Sequence, residues 1–206
     1  PCLVRENNLE TYLGLPTFAP FRHTERAEIG MAQMLAWGST GGEVLWLEVS
    51  KMKGSGHLLL TGQIGEVMKE SAQTIRSYLR SHPECWEGED MDWKQWDIHF
   101  HAPLGGVTKD GPSAGLALFA ALFSLLRAQP LPVGVAMTGE VTLRGKILGV
   151  GGLREKLLAA QRAHLHTLIL PKQNQAEVEC LPKSLHDSMQ LVFLNQLQEL
   201  MDWLEP

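Results

Sequence analysis

Residues 114–126 read Ala-Gly-Leu-Ala-Leu-Phe-Ala-Ala-Leu-Phe-Ser-Leu-Leu, a stretch whose sole polar side chain is Ser124. A helix of this composition has no face to turn towards water, so other elements must bury it on most sides. It is too short to cross a bilayer, which takes about 20 apolar residues. The chain is therefore expected to wrap layers of structure around a helix running from about Ser113 to Ala128. Its 206 residues, 44% apolar and 20% charged, supply enough material for one large domain or two small ones.

The elements that could cover this helix follow from local pattern. Residues 43–50 and 58–61 read as strands, and the Gly-rich break Lys53-Gly-Ser-Gly56 between them suggests a hairpin. Glu66 to Ser81 carries Val67, Ser71, Ile75, Tyr78 and Leu79 at helical spacing. Residues 82–95 lack a period and read as a loop, and Trp96 to Ala102 alternates as a strand does. Residues 103–112 form a turn-rich loop. Beyond the apolar helix, strands are expected at 133–138, 146–150, 167–170 and 192–194, with helices at 153–163 and 196–204. This alternation indicates an α/β or α+β class. Residues 1–24, with Pro16 and Pro20, read as an irregular lead-in.

Composition narrows the function. A net charge of -5 gives no general attraction to nucleic acid or to an anionic membrane. Cys2, Cys85 and Cys180 are scattered and form no CxxC pair, so neither a disulfide framework nor a zinc ribbon is expected. The chain opens Pro-Cys-Leu-Val-Arg-Glu, without a signal peptide or a starting Met, and is expected to be a fragment or a processed product. No G-x-x-x-x-G-K-[ST] occurs, so no P-loop is present in the sequence.

Chemistry concentrates at Lys109-Asp-Gly-Pro-Ser-Ala-Gly115, where a loop meets the apolar helix. A Ser in a first helical turn lies among backbone N–H groups that lack intrahelical acceptors, and these donors suit an oxyanion. Asp110 is placed to cap this helix and Pro112 suits its first position; the bland alternative is that Ser113 is itself only a cap. A Ser hydroxyl needs a base, and Lys156 is a candidate. Leu153, Lys156, Leu157, Ala160 and Ala163 share one helical face, so the lysine is either buried and desolvated or snorkels from the edge of an apolar stripe. Only a lysine that is desolvated or set beside another cation has enough neutral amine near pH 7 to act as a base.

Other patterns compete with this pairing. Gly111-Pro-Ser-Ala-Gly115 fits a G-x-S-x-G elbow, but a Gly/Pro loop separates Ser113 from the preceding strand. Ser50-Lys-Met-Lys53 fits S-x-x-K without the partners that motif needs. His99 and His101 share a strand face and are weighed as a metal pair, but no third ligand accompanies them, so a core or loop-supporting role and no metal is expected.

Taken together, the motifs resemble the proteolytic domain of the Lon protease family over nearly the whole chain. The family's Pro-Lys-Asp-Gly-Pro-Ser-Ala-Gly appears as Thr108-Lys-Asp-Gly-Pro-Ser113-Ala-Gly115, and its Gly-Gly-(Leu/Ile)-Lys-Glu-Lys as Gly151-Gly-Leu-Arg-Glu-Lys156. The Ser-to-Lys separation of 43 residues is the family's usual one. Leu60 to Ser71, Asp97 to His101 and Ala136 to Gly145 resemble further family segments. Leu104, Thr108, Gly149 and Arg154 depart from the family pattern, where Glu, Pro, Pro and Lys are common. Gly149 is expected to loosen the approach to the Lys156 helix.

The resemblance implies a serine endopeptidase with Ser113 as nucleophile and Lys156 as general base. It implies supporting roles for Thr138, Asp110, His99, His101 and Glu140, and oxyanion donors in the backbone of Gly111, Ser113 and Ala114. It further implies that residues 1–24 are a linker from an upstream AAA+ ATPase module and that 25–206 form the proteolytic domain. The whole would be a homo-hexamer degrading unfolded or damaged proteins, with no cofactor in this domain and ATP and Mg held by the ATPase module. Neither nucleic acid nor a membrane is required. Residence in the cytoplasm is expected, with a peroxisome or the mitochondrial matrix as alternatives. A scaffold that binds chains without cutting, and an ATP-independent Lon-like peptidase, are the competing readings.

Overall fold

The computed structural model describes residues 3–5, 8–14, 27–38, 41–86, 91–103 and 109–205. Leu104 and Thr108 lie outside these residues, as does much of the 1–24 lead-in. Within that lead-in Leu9–Leu13 form a short exposed helix, α1, where an irregular segment was expected.

Strand β1 (Met31–Gly38) pairs antiparallel with β2 (Gly41–Lys53), which pairs antiparallel with β4 (Trp96–His101). Strand β3 (Leu58–Thr61) lies outside β4 and parallel to it. On the other side, β5 (Val135–Met137), β8 (Thr167–Pro171) and β9 (Gln190–Leu194) continue parallel to β1. The result is a seven-stranded mixed sheet in the order β3-β4-β2-β1-β5-β8-β9, with a two-stranded ribbon of β6 (Glu140–Val141) and β7 (Ile147–Leu148) beside it. The α/β class holds, with most strands gathered into one sheet.

The expected hairpin between residues 43–50 and 58–61 does not form, because β4 is inserted between those strands. The true hairpin joins β1 to β2 across a two-residue connection, with Gly38 opposite Gly41. Strand β1 carries no alternation to read, because both of its faces are covered. Ala32 and Met34 enter one core while Leu35 enters the other. The same division runs through β8, where Ile169 faces the first core and Leu168 and Leu170 the second.

The first core holds α2 (Glu66–Ser81) and α3 (Gly115–Arg127). From Leu116 to Leu122 every residue of α3 is fully buried, as the apolar run requires. Ser124 satisfies its hydroxyl inside this core by donating to the Gln129 carbonyl and accepting from the Gly30 N–H. On the opposite face α4 (Leu153–Arg162) and α5 (Gln175–Glu179) close the second core, and α6 (Leu197–Leu204) ends the chain against the first. On α2 the buried residues are Met68, Ala72, Ile75, Tyr78 and Leu79, one position along from the expected Val67 and Ser71.

Helix α4 sits unusually close to β2. A Cβ on Gly42 would meet the Glu155 carbonyl oxygen at 1.9 Å, so only glycine admits this approach. Arg162 fixes the contact from the far end of α4 by donating to the Gly42 carbonyl at 2.7 Å.

Candidate active site

Ser113 lies in a 3-10 turn, Pro112–Ala114, that leads directly into α3. Gly111 precedes it at φ +121°, a conformation that glycine adopts without strain. The Ser113 carbonyl accepts from the Gly139 N–H at 2.9 Å and from the Thr138 hydroxyl at 3.2 Å. Leu116 N–H donates to the Gly139 carbonyl at 3.0 Å. The end of β5 is thus zipped to the start of α3, which places the Ser113 turn at the carboxyl ends of the parallel strands β1 and β5.

Lys156 enters from α4 on the opposite face. Its side chain is 1% exposed, and its Nζ donates to Thr138 Oγ1 at 2.9 Å. Thr138, itself fully buried, therefore links the lysine amine to the main chain of Ser113. Burial pushes the Lys156 pKa down to about 8, and the Glu177 carboxylate opposes that effect. The apolar stripe anticipated for α4 accounts for the burial, since Leu153, Leu157 and Ala160 are buried with Lys156. Among the described residues no hydrogen bond joins the Ser113 hydroxyl to Lys156; Thr138 is the connection.

A cleft of about 120 Å³ opens beside Ser113, with Met34, Ala36, Trp37 and Met68 on its apolar side and Lys109 and Asp110 on its polar side. Strand β1 pairs with β5 only at Gln33 and Met34, so its Leu35–Gly38 end is paired on the β2 side alone. Lys109 is buried, with its Nζ donating to the Gly62 carbonyl at 3.1 Å. Burial lowers its pKa while Glu43 pulls the other way.

The supporting residues are dispersed. Asp110 does not cap the Ser113 helix. Its Oδ1 accepts from Met68 N–H at 3.0 Å and so caps α2, because the Gly65–Lys109 backbone pairing brings the start of α2 alongside the loop. The same oxygen accepts from Gly111 N–H at 2.9 Å, which engages one of the three expected oxyanion donors. Ser113 and Ala114 remain in the first turn, where N–H groups lack intrahelical acceptors.

Glu140 lies on β6, partly exposed, and no hydrogen bond among the described residues ties it to Ser113 or Lys156. His99 and His101 face a different cleft, bounded by Glu28, Glu48 and Ser50. Both bond to Thr61 Oγ1, at 2.8 and 2.7 Å, and so latch β3 to β4 where the chain enters the 103–108 segment. Among the described residues no group of three or more His, Cys, Asp and Glu side chains is arranged to hold a metal ion.

Sequence reasoning overlooked the Gly42–α4 approach and the residues that brace the entry to α4. Gln173 and Asn174 bind the backbone of Gly149 and Val150. The Gly151-Gly152 pair was the available signal, since a glycine-rich helix entry needs outside support.

A family model described as the Lon protease (S16) C-terminal proteolytic domain matches residues 3–204. A Lon protease of Aquifex aeolicus is 50% identical over 190 residues, covering 91% of this chain and 24% of its own length. Lon protease 1 of Thermus thermophilus is 43% identical over 199 residues, covering 97% of this chain and 25% of its own. A Lon protease of Trichlorobacter lovleyi is 45% identical over 192 residues, 93% of this chain and 23% of its own. The chain spans about a quarter of the length of these curated relatives.

Proposed function

Because the chain belongs to the Lon protease (S16) C-terminal proteolytic domain family, we propose that it is a serine endopeptidase domain in which Ser113 attacks and Lys156 serves as its base. The observation that carries this reading is the buried Lys156 amine, tied through Thr138 to the turn that holds Ser113. At a pKa of about 8, about a tenth of such lysines are neutral at pH 7, against about one in three thousand at the ordinary value of 10.5.

The reaction runs in two halves. Neutral Lys156 takes the Ser113 hydroxyl proton as Oγ attacks the peptide carbonyl, and the Ser113 and Ala114 N–H groups receive the oxyanion. The lysine then gives its proton to the departing amine, and water releases the acyl group. The substrate lies extended in the cleft, adding its backbone to the open Leu35–Gly38 side of β1 with an apolar side chain against Met34 and Met68.

The same reading extends to the whole protein. Residues 1–24 link this domain, 25–206, to an AAA+ module in the full-length chain, which binds ATP and Mg and unfolds protein substrates. The assembly is a homo-hexamer of the cytoplasm. Among the described residues no helix is long and apolar enough to cross a membrane.

A fluorophosphonate probe on the full-length protein, with the labelled residue located by mass spectrometry, tests the mechanism. Labelling is expected at Ser113, rising about tenfold per pH unit from 6 to 7 and levelling above about 8. It disappears in Ser113→Ala and in Lys156→Ala. Absence of labelling in the assembled wild type sinks the mechanism and favours a scaffold that does not cut.

A further inference from the structure

Helix α4 begins at the end of a glycine-rich segment that belongs to no helix or strand. Strand β7 ends at Leu148, α4 starts at Leu153, and three of the four residues between them are glycine. Such a segment has little stiffness of its own. Its last residue nevertheless sets the lysine, because the Gly152 carbonyl accepts from Lys156 N–H at 3.0 Å. Any shift in residues 149–152 therefore passes to Lys156 through one hydrogen bond.

Asn174 meets this need. It is buried at the start of α5, and its whole amide is used. Oδ1 accepts from Val150 N–H, while Nδ2 donates to the Val150 carbonyl and to Glu177 Oε2, each at 2.9 Å. The two-way pairing with Val150 is what an adjacent strand would offer, supplied here by a side chain. Gln173 adds a bond from Gly149 N–H to its Oε1 at 2.8 Å, so two successive side chains hold two successive peptide units. A proline at 149 would have no N–H to give; with glycine there, Gln173 provides the rigidity from outside.

We propose that Asn174, assisted by Gln173, is a positioning residue of the Ser113–Lys156 reaction: it fixes the glycine-rich entry of α4, and so the aim of the lysine amine, and it holds the Glu177 carboxylate in place. The proposal rests on the reading of Lys156 as the base. Charged groups surround α4 on its own turns (Arg154, Glu155, Arg162), on β2 (Glu43, Glu48), on α5 and its approach (Lys172, Glu177, Glu179) and at Lys183. Of these, Glu177 is the one whose charge bears on Lys156, favouring the protonated amine. Asn174 thus governs both where the base points and which carboxylate it feels.

The test is fluorophosphonate acylation of Ser113 in the full-length protein, resolved into kinact and KI across pH 6 to 9. Asn174→Ala is expected to lower kinact about 10- to 100-fold with KI within about twofold, the signature of a misaimed base in an intact cleft. Asn174→Asp, which keeps size but loses both donors, should be no better. Gln173→Ala should lose less, and Glu177→Gln should move the rising limb of kinact to lower pH. If wild-type labelling does not require Lys156, the base reading and this proposal fall together. If it does require Lys156, and Asn174→Ala retains kinact within twofold, this proposal alone falls. Should Asn174→Ala not fold, Gln173→Ala and Glu177→Gln decide: wild-type kinact in the first and an unmoved pH limb in the second overturn it.

Discussion

Replacing Lys156 with methionine should stabilise the protein while abolishing its acylation. The lysine is 1% exposed, and its pKa falls from the ordinary 10.5 to about 8. At pH 7 the folded state must hold an ammonium that it disfavours, at a cost of about 3 kcal/mol relative to the unfolded chain. Methionine fills a similar volume without the charge and gives up one hydrogen bond to Thr138, worth about 1 kcal/mol. The net expectation for Lys156→Met is a gain of about 2 kcal/mol at pH 7.

The sign with pH is fixed. Between about 8 and 10.5 the unfolded lysine keeps its proton and the folded one has lost it. The wild type therefore gains stability on the variant as pH rises through this window. The advantage of Lys156→Met should shrink by about 1 kcal/mol between pH 7 and pH 9. Denaturant midpoints of both proteins at pH 6, 7, 8 and 9 measure this directly. A variant that is less stable at every pH, or a difference flat from pH 7 to 9, would refute the claim that burial strips the lysine of its proton.

Two further outcomes probe the frame around the site. Gly42→Ala would place a Cβ 1.9 Å from the Glu155 carbonyl oxygen, so α4 must retreat; a loss of about 2 kcal/mol and slower acylation are expected. Gly38→Ala, with nothing within 4 Å of its Cβ, is the control, and equal melting temperatures for the two variants would contradict the close approach. Asp110→Ala removes the acceptor for Met68 N–H and should cost about 1 kcal/mol in denaturant titration, with Asp110→Asn retaining most of it; no change would show that the α2 cap carries no weight.

What could be read from the sequence was local. The apolar stripe of α4 narrowed Lys156 to a buried or a snorkelling lysine, between which the structure decides for burial, and the apolar run broken only by Ser124 marked α3 as a helix buried on most sides. The ends of α2 were also legible, because Gly65 and His82 bracket a clear helical period. Strand order was not. The path from β3 through α2 to the parallel β4 brings together residues far apart in sequence, and no turn signal announces that β4 will separate β2 from β3. The same blindness explains Asp110. Its spacing to Ser113 suited a local cap, yet its carboxylate serves a helix whose first turn lies 42 residues earlier. Asn174 was invisible for a related reason, since its partner Val150 lies 24 residues away and only the fold brings them together.

The Thr138 hydroxyl has a single proton, and the Ser113 carbonyl, which can only accept, claims it. Towards Lys156 the threonine therefore presents lone pairs alone, and the amine must be the donor whether charged or neutral. A neutral amine has two N–H bonds and one lone pair. With an N–H turned to Thr138, that lone pair is directed elsewhere. Were the hydroxyl proton free, the amine lone pair would be its natural acceptor, and the base would be occupied by its own neighbour. By binding that proton, the main chain of Ser113 sets the polarity of the chain of hydrogen bonds and leaves the basic electron pair of the amine free of Thr138.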